Sequence, residues 1–454
     1  MTGIRVFSAA LVLPVTAPAI PDGAVAVRDG RVLHVGDRAW VLDALRERGE
    51  EFSETHSDGI LVPGLVNAHT HLQYTGMAEV GQGRYRGFED WAKAFDAVYD
   101  GRHDWHADAV AGAQQLLASG VTAAADVVTD LEAVGVLRDA GLHGIAYWEV
   151  MSWEDAAWRD YGRDQVQAEL DRIPTTPGAG LSPHAPYSLD TLPLHEIPDI
   201  VRERGLRLHI HLGESQFEGE RIPDDGGERH ENWRFAGVQS FRALRELGFG
   251  TSATEFVDQL GVLGPDCHIA HGVYVTEGDR RLLRLRGTSV ALCPRSNDVI
   301  GLEPPPVADY LREGNAIAVG TDSLSSSPSL DLMADVGVLC RLARSQGYAA
   351  DDLHQRLLAA ATLGGARALG LDVGPRRVGQ FGVGAVADLA FFDIAVGSTE
   401  RALRDALAEL IEAGAGRCAA TYVDGRHRWS RPDRHETSLR PAEQDDTSQE
   451  DAIA

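Results

Sequence analysis

Lysine is nearly absent from this chain. Among 454 residues it occurs once, at Lys93, and the other basic residues are arginines. No GK[ST] triplet exists, which removes P-loop nucleotide chemistry, and any lysine-dependent mechanism has a single candidate. Cysteine is scarce as well. Cys267, Cys293, Cys340 and Cys418 are scattered with no C-x-x-C pair. That suits small buried thiols in a reducing compartment and excludes the zinc deaminases built on a His/Cys/Cys site. No apolar run reaches the roughly 18 residues a membrane span needs. Near the N-terminus VFSAALVLPVTAPAI looks faintly like a signal segment, but Pro14 and Pro18 interrupt it and the alternating AVAVRDGRVLHVG follows. It reads as short strands, and the expected location is the cytoplasm. Positive charge is also in deficit. The formal net charge of -26 argues against nucleic acid or an anionic membrane as partner, because a phosphate surface would repel the chain.

What is present is ordinary in bulk and specific in detail. A hydrophobic fraction of 44% and a charged fraction of 24% describe a globular protein, long enough for one large domain and a smaller one. Within it, LVPGLVNAHTHLQYTGM drives an apolar run into His69 and His71. Side chains at i and i+2 of a strand share a face, so the two imidazoles would sit side by side at a strand end. Neutral imidazole is the commonest protein metal ligand.

Further β-rich runs start at Val121, Gly144, Gly178, Arg207, Asp266, Ser289 and Ala316, alternating with amphipathic helical stretches, several of which end in glycine. Alternation of this kind implies a parallel sheet, and eight units over roughly 300 residues suggest a (β/α)₈ TIM barrel. The polar residues of these runs gather at their C-terminal ends, the face on which such barrels build sites: His69 and His71, His184, His211 and Glu214, His271, Ser296 and Asn297, and Asp322.

The flanks differ. Residues 1–58 and 372–430 read as strand-and-turn segments without helical spacing, expected to pair into a small β-sandwich domain around a 59–371 barrel. GVGAVAD breaks the dinucleotide fingerprint at Ala387 and reads as a hairpin. Residues 431–454 read as a disordered tail. The long connection 216–264 is a candidate lid or a solvated insertion. His103, His106, His195, His230 and His427 read as surface residues.

His69 and His71 need further ligands. RLHIHLGES supplies His209 and His211 on one face, of which His211 lies nearer the strand end, and GTDS places Asp322 at the rim. Three imidazoles and one carboxylate suit Zn²⁺ or Fe²⁺ with a position left for water. Glu214, three residues beyond His211, can reach the same water, and His271 on the next strand completes a set of proton carriers.

HTH after an apolar strand, then HLGES, HIAHGVY, CPRSN and GTDSLSS in that order, resemble the amidohydrolase superfamily. They are most similar to its aminohydrolase branch, which holds S-adenosylhomocysteine and methylthioadenosine deaminases, aminodeoxyfutalosine deaminase and triazine chlorohydrolases. The resemblance covers all but the tail. It implies one divalent metal, Zn²⁺ first and Fe²⁺ second, on His69, His71, His211 and Asp322. Binuclear relatives bridge two metals with a carboxylated strand lysine, whereas Lys93 lies in the helical FEDWAKAF and the fourth strand offers His184. The implied chemistry is removal of an exocyclic amine from an aminopurine-type nucleoside by a metal-activated water. Asp322 would take the water's proton, His271 would orient it, and Glu214 would shuttle protons to the ring nitrogen and the departing ammonia.

His184 would contact substrate, and Trp91 with Phe88 could stack on a purine or belong to the core. Gln73, Ser296 and Asn297 are further candidate contacts. Gly272 stands where relatives often carry cysteine. His209 is expected to pack behind the site. Three alternatives remain open: a chlorohydrolase or other hydrolase of triazine, pterin or guanine-like rings; an imidazolonepropionase-like cyclic amide hydrolase; and an inactive binding protein on a hydrolase barrel. The expected partner is a small heterocycle, with a homo-oligomer allowed.

Overall fold

The computed structural model describes residues 3–218 and 252–432. Two sheets organise them. Strands β1 (Ile4–Val12), β2 (Ile20–Arg28), β3 (Arg31–Asp37) and β4 (Phe52–Pro63) open the chain. The barrel strands follow: β5 (Leu65–Thr70), β6 (Val121–Val128), β7 (His143–Val150), β8 (Ala179–Pro183), β9 (Arg207–Leu212), β10 (Cys267–His271), β11 (Ser289–Leu292) and β12 (Ile317–Val319). Strands β13 (Leu389–Phe392), β14 (Cys418–Val423) and β15 (Arg426–Ser430) close it.

The eight strands β5 to β12 pair in parallel, each with its sequence neighbour, and all eight coincide with the runs read from the sequence. The ring closes where the backbone N–H groups of Thr321 and Asp322, just past β12, donate to the His69 carbonyl on β5 at 3.1 and 3.0 Å. Small residues let eight strands converge: Ala68, Ala123, Ala125, Ala291 and Ala318 pack with Val66, Val127 and Tyr147, filling the interior as a core rather than a pore. Outside, each crossover helix buries one stripe. Leu332–Ser345 covers Leu332, Val336, Leu339 and Ala343, and its Asp331 cap accepts from Met333 N–H. Among the described residues no helix is long and apolar enough to cross a membrane.

The two flanks meet in one seven-stranded sheet of order β15-β14-β13-β4-β1-β2-β3. Strand β1 pairs in parallel with β4 and antiparallel with β2, so the N-terminal strand lies within the sheet and joins both halves. The flanks are not purely strand and turn. Arg38–Glu47 and Glu400–Ala413 are helices, capped by Asp37 and Thr399. The second was legible: its buried Ala406, Leu407, Leu410 and Ile411 recur at helical spacing. GILVPGLVNAHTH also divides. Its first half belongs to β4 and its second to β5, with Gly64 between them, where a Cβ would stand 2.1 Å from Thr122 Oγ1. The GVGAVAD stretch runs as turns with one isolated bridge, Arg31 to Val386, before β13. The tail beyond 432 and most of the candidate lid, 219–251, lie outside the described residues, as does His230.

Gly320 sits at the closure. A Cβ there would lie 2.8 Å from both Cys293 Sγ and His69 Cβ. Gly320→Ala is therefore expected to destabilise the protein by about 1–3 kcal/mol, read as a lowered denaturation midpoint with unchanged slope.

Candidate active site

The imidazoles of His69, His71 and His211 converge at the C-terminal mouth of the barrel. The His69 ring stands 5.0 Å from that of His71 and 4.9 Å from that of His211, nearly perpendicular to both. His211 Nδ1 lies 3.0 Å from the His184 carbonyl. The nitrogen facing an oxygen acceptor must carry the proton, which leaves His211 Nε2 with a lone pair. That lone pair faces His71 Nε2 at 3.2 Å. Neither nitrogen of the fully buried His69 has a hydrogen-bond partner, and Asp322 Oδ1 lies 3.6 Å from His69 Nε2 and 3.9 Å from His71 Nε2. Burial first, then the neighbouring imidazole of His69, pushes His71 down to about 3, and burial holds His211 well below the usual value. These rings are neutral at neutral pH, the state that ligates. Buried neutral imidazoles aimed at one another beside a carboxylate fit a divalent metal ion.

Beside this cluster stand the two residues expected to carry protons. His271 ends β10 and Glu214 follows β9; Glu214 Oε1 lies 3.5 Å from His271 Nε2. Asn297 Oδ1 faces His271 Nδ1 at 3.1 Å, so His271 also presents an unprotonated Nε2 to the site. Burial, then the charges of Asp322, Glu218 and Glu149, pushes the Glu214 carboxyl well above its ordinary range. Ser296 Oγ donates to Asp322 Oδ2 at 2.6 Å, and Ser323 N–H donates to Oδ1 at 2.7 Å. Both His271 and Asp322 have left-handed backbones, with φ of 74° and 57°. This conformation costs a non-glycine residue on the order of 1–3 kcal/mol and clusters at functional sites.

The pattern described as the amidohydrolase family matches residues 60–427. The chain is 31% identical over 389 residues to a 5-methylthioadenosine/S-adenosylhomocysteine deaminase of Halobacterium salinarum, covering 82% of this chain and 80% of the relative. It is 27% identical over 404 residues to a namesake from Moorella thermoacetica, covering 84% of each. A solved structure of an adenosine deaminase from Xanthomonas campestris with bound zinc superposes with a TM-score of 0.76 and 25% identity, covering 93% of this chain and 92% of that one. The chain belongs to the amidohydrolase family. It is a hydrolase of non-peptide carbon–nitrogen bonds.

In this amidohydrolase no lysine enters the donor cluster. Lys93 is exposed on the helix Phe88–Tyr99. Instead His184, just past β8, faces a cavity of about 210 Å³ in front of the donors. The cavity has a polar floor and an aromatic wall. Its floor includes His71, His211, Glu214 and Asp322; its wall includes Tyr74, Phe88, Trp91 and Phe95. The helix Phe88–Tyr99 buries none of its residues fully; Phe88 and Trp91 line the cavity, and Trp91 also packs against the core. The Trp91 indole N–H donates to the Ser325 carbonyl at 2.9 Å, which fixes the ring. His209 lies behind the site, its ring stacked on His69 at 4.9 Å.

Three expected substrate contacts, Gln73, Ser296 and Asn297, are not among the residues that line the cavity. Gln73 is 1% exposed. Its amide N–H₂ donates to Asp130, and its carbonyl accepts the backbone N–H of Thr129 and Asp130. Ser296 and Asn297 are equally buried and hold Asp322 and His271 from behind. Other polar residues here escaped the sequence reading. Glu149 on β7 reaches within 3.6 Å of His211 Nδ1 and accepts from Thr129 Oγ1 at 2.9 Å. Glu218 pins the HLGES turn by accepting the backbone N–H of Gly213, Glu214 and Ser215. Arg295 of CPRSN forks onto the fully buried Asp335. Of these, Arg295 alone falls within a motif quoted above, CPRSN. Gln73→Ala is expected to lower stability by about 1–3 kcal/mol through the unpaired Thr129 and Asp130 groups while leaving metal content unchanged, as denaturation and metal analysis of the same sample would read.

Proposed function

We propose that this amidohydrolase removes an exocyclic amino group as ammonia from an aminopurine-type nucleoside, of the methylthioadenosine, S-adenosylhomocysteine or aminodeoxyfutalosine class. The observation that carries the reading is the approach of the buried Glu214 carboxyl to His271 Nε2 at 3.5 Å, beside a cluster of buried imidazoles and one carboxylate. His69, His71, His211 and Asp322 are the proposed ligands, for Zn²⁺ first and Fe²⁺ second, within a 59–371 catalytic barrel. When bound, the metal lowers the pKa of a water molecule from about 15.7 toward 7. Relatives named as deaminases of adenosine derivatives support the substrate class.

The residues divide the remaining work. Asp322, steadied by Ser296 and Ser323, accepts the water's proton. His271, with Nε2 unprotonated, accepts a hydrogen bond from the same water and aims it at the amino-bearing carbon. Glu214 gives its proton to the adjacent ring nitrogen as oxygen adds to that carbon. The proton taken by Asp322 passes to the amine, which leaves as ammonia while the added hydroxyl returns its proton to Glu214 and becomes the ring carbonyl. Trp91 and Phe88 offer flat faces for the heterocycle, and His184 touches it from the opposite strand.

The test is ammonia release across adenosine derivatives, guanine, pterins and melamine. Adenosine derivatives are expected to react fastest, and preference for another ring would reassign the substrate. Glu214→Gln should retain metal and lose about 10²–10⁴-fold in kcat; wild-type turnover in that variant would remove the proposed proton donor. Treatment with a chelator should abolish activity, with Zn²⁺ restoring it.

A further inference from the structure

At the opposite end of the barrel, three donors from separate segments converge. His143 is the first residue of β7. Asp388 immediately precedes β13, and Asp424 lies in the turn between β14 and β15. His143 Nε2 stands 3.4 Å from Asp424 Oδ1 and 3.5 Å from Asp388 Oδ1. We propose that His143, Asp388 and Asp424 bind a second divalent transition-metal ion, of the Zn²⁺ type, which ties the barrel to the seven-stranded sheet.

The distances favour an ion over a direct pair. A charge-assisted N–H to carboxylate bond measures roughly 2.7–2.9 Å, shorter than either contact. Ligand atoms about 2.0–2.1 Å from one tetrahedral metal lie roughly 3.3–3.4 Å apart, close to what is observed. Asp388, only 1% exposed, has a buried Oδ2 with no hydrogen-bond partner; against the cost of burial, Asp388 and Asp424 raise His143 to about 10, so the ion takes the place of a ring proton. Arg31, a nearby cation, donates to the Pro375 carbonyl.

The frame is built as well as the donors. Asp424 has φ of 52° and Gly425 of 67°, the geometry of a tight hairpin turn. Asp424 N–H donates to Asp388 Oδ1 at 3.0 Å, and Gly425 N–H to the Ala387 carbonyl at 2.6 Å. The two carboxylates are therefore held together by backbone. A second trio, Cys340, His354 and Glu412, does not share these properties: His354 Nε2 already meets Glu412 at 2.9 Å, a direct bond. One imidazole and two carboxylates suit Zn²⁺ or a neighbouring first-row ion, with water completing the shell. The N-terminal face of such a barrel serves stability rather than chemistry, so the ion would act as a staple.

The experiment equilibrates the purified holoenzyme with excess Zn²⁺, removes unbound ion by gel filtration, and counts zinc per chain. Wild type is expected to hold one equivalent more than His143→Gln or Asp424→Asn, and Zn²⁺ should raise its Tm further than theirs. Equal zinc counts and equal Tm shifts in all three would overturn the proposal and leave a plain ion pair. A His69→Ala/His71→Ala variant, lacking two of the four proposed donors at the barrel mouth, is compared with the same variant carrying Asp424→Asn. The first should bind one equivalent more than the second, and equal binding by the two would overturn the proposal.

Discussion

The structure depends on one carbonyl oxygen. The His69 carbonyl accepts the N–H groups of both Thr321 and Asp322, and this contact closes the ring of strands between β12 and β5. The same residue projects its imidazole into the donor cluster, and one of its two donors projects a carboxylate there. Closing the barrel and assembling the site are thus one event. A buried lattice reinforces it: Asn67 donates to Thr321 Oγ1 and Thr70 donates to the Asp322 carbonyl, at 2.7 and 3.1 Å. In a dry interior such bonds are stronger than in water and leave little freedom of register.

The closure carries energetic costs. Two site residues, His271 and Asp322, occupy left-handed backbone, and several imidazoles lie buried and uncharged. Glu214 is desolvated among carboxylates. Each of these opposes folding, and the large apolar core around the barrel offsets them. The proposed chemistry draws on the same desolvation, which lowers the imidazole pKa values of His71 and His211 and raises that of the Glu214 carboxyl.

Much of this was readable beforehand, for identifiable reasons. The eight barrel strands were legible because each is a short apolar run whose polar residues cluster at one end. His69, His71, His211 and Asp322 were legible as a set because strand alternation and barrel topology bring them to one rim. Other roles were not legible. Gln73 follows the HTH pair, and Ser296 and Asn297 fall at a strand end, which suggested contact with substrate. In the fold Ser296 and Asn297 hydrogen-bond to Asp322 and His271, and Gln73 to Thr129 and Asp130. The helix Glu400–Ala413 was overlooked because strands surround it on both sides, although its own periodicity was plain.

What the amino-acid order determined by itself was periodicity: which residues share a strand face, which segments alternate, and which polar groups fall at strand ends. Local geometry dictates these, since side-chain direction repeats every two residues in a strand whatever lies beyond it. What only the tertiary structure decided was partnership across distance. That Asn297 faces His271, that Glu149 reaches His211, and that His143 meets Asp388 and Asp424 all depend on strands remote in sequence becoming neighbours. Hydrogen bonds and metal coordination act over a few ångströms of space, and sequence separation carries no record of that distance until the barrel closes.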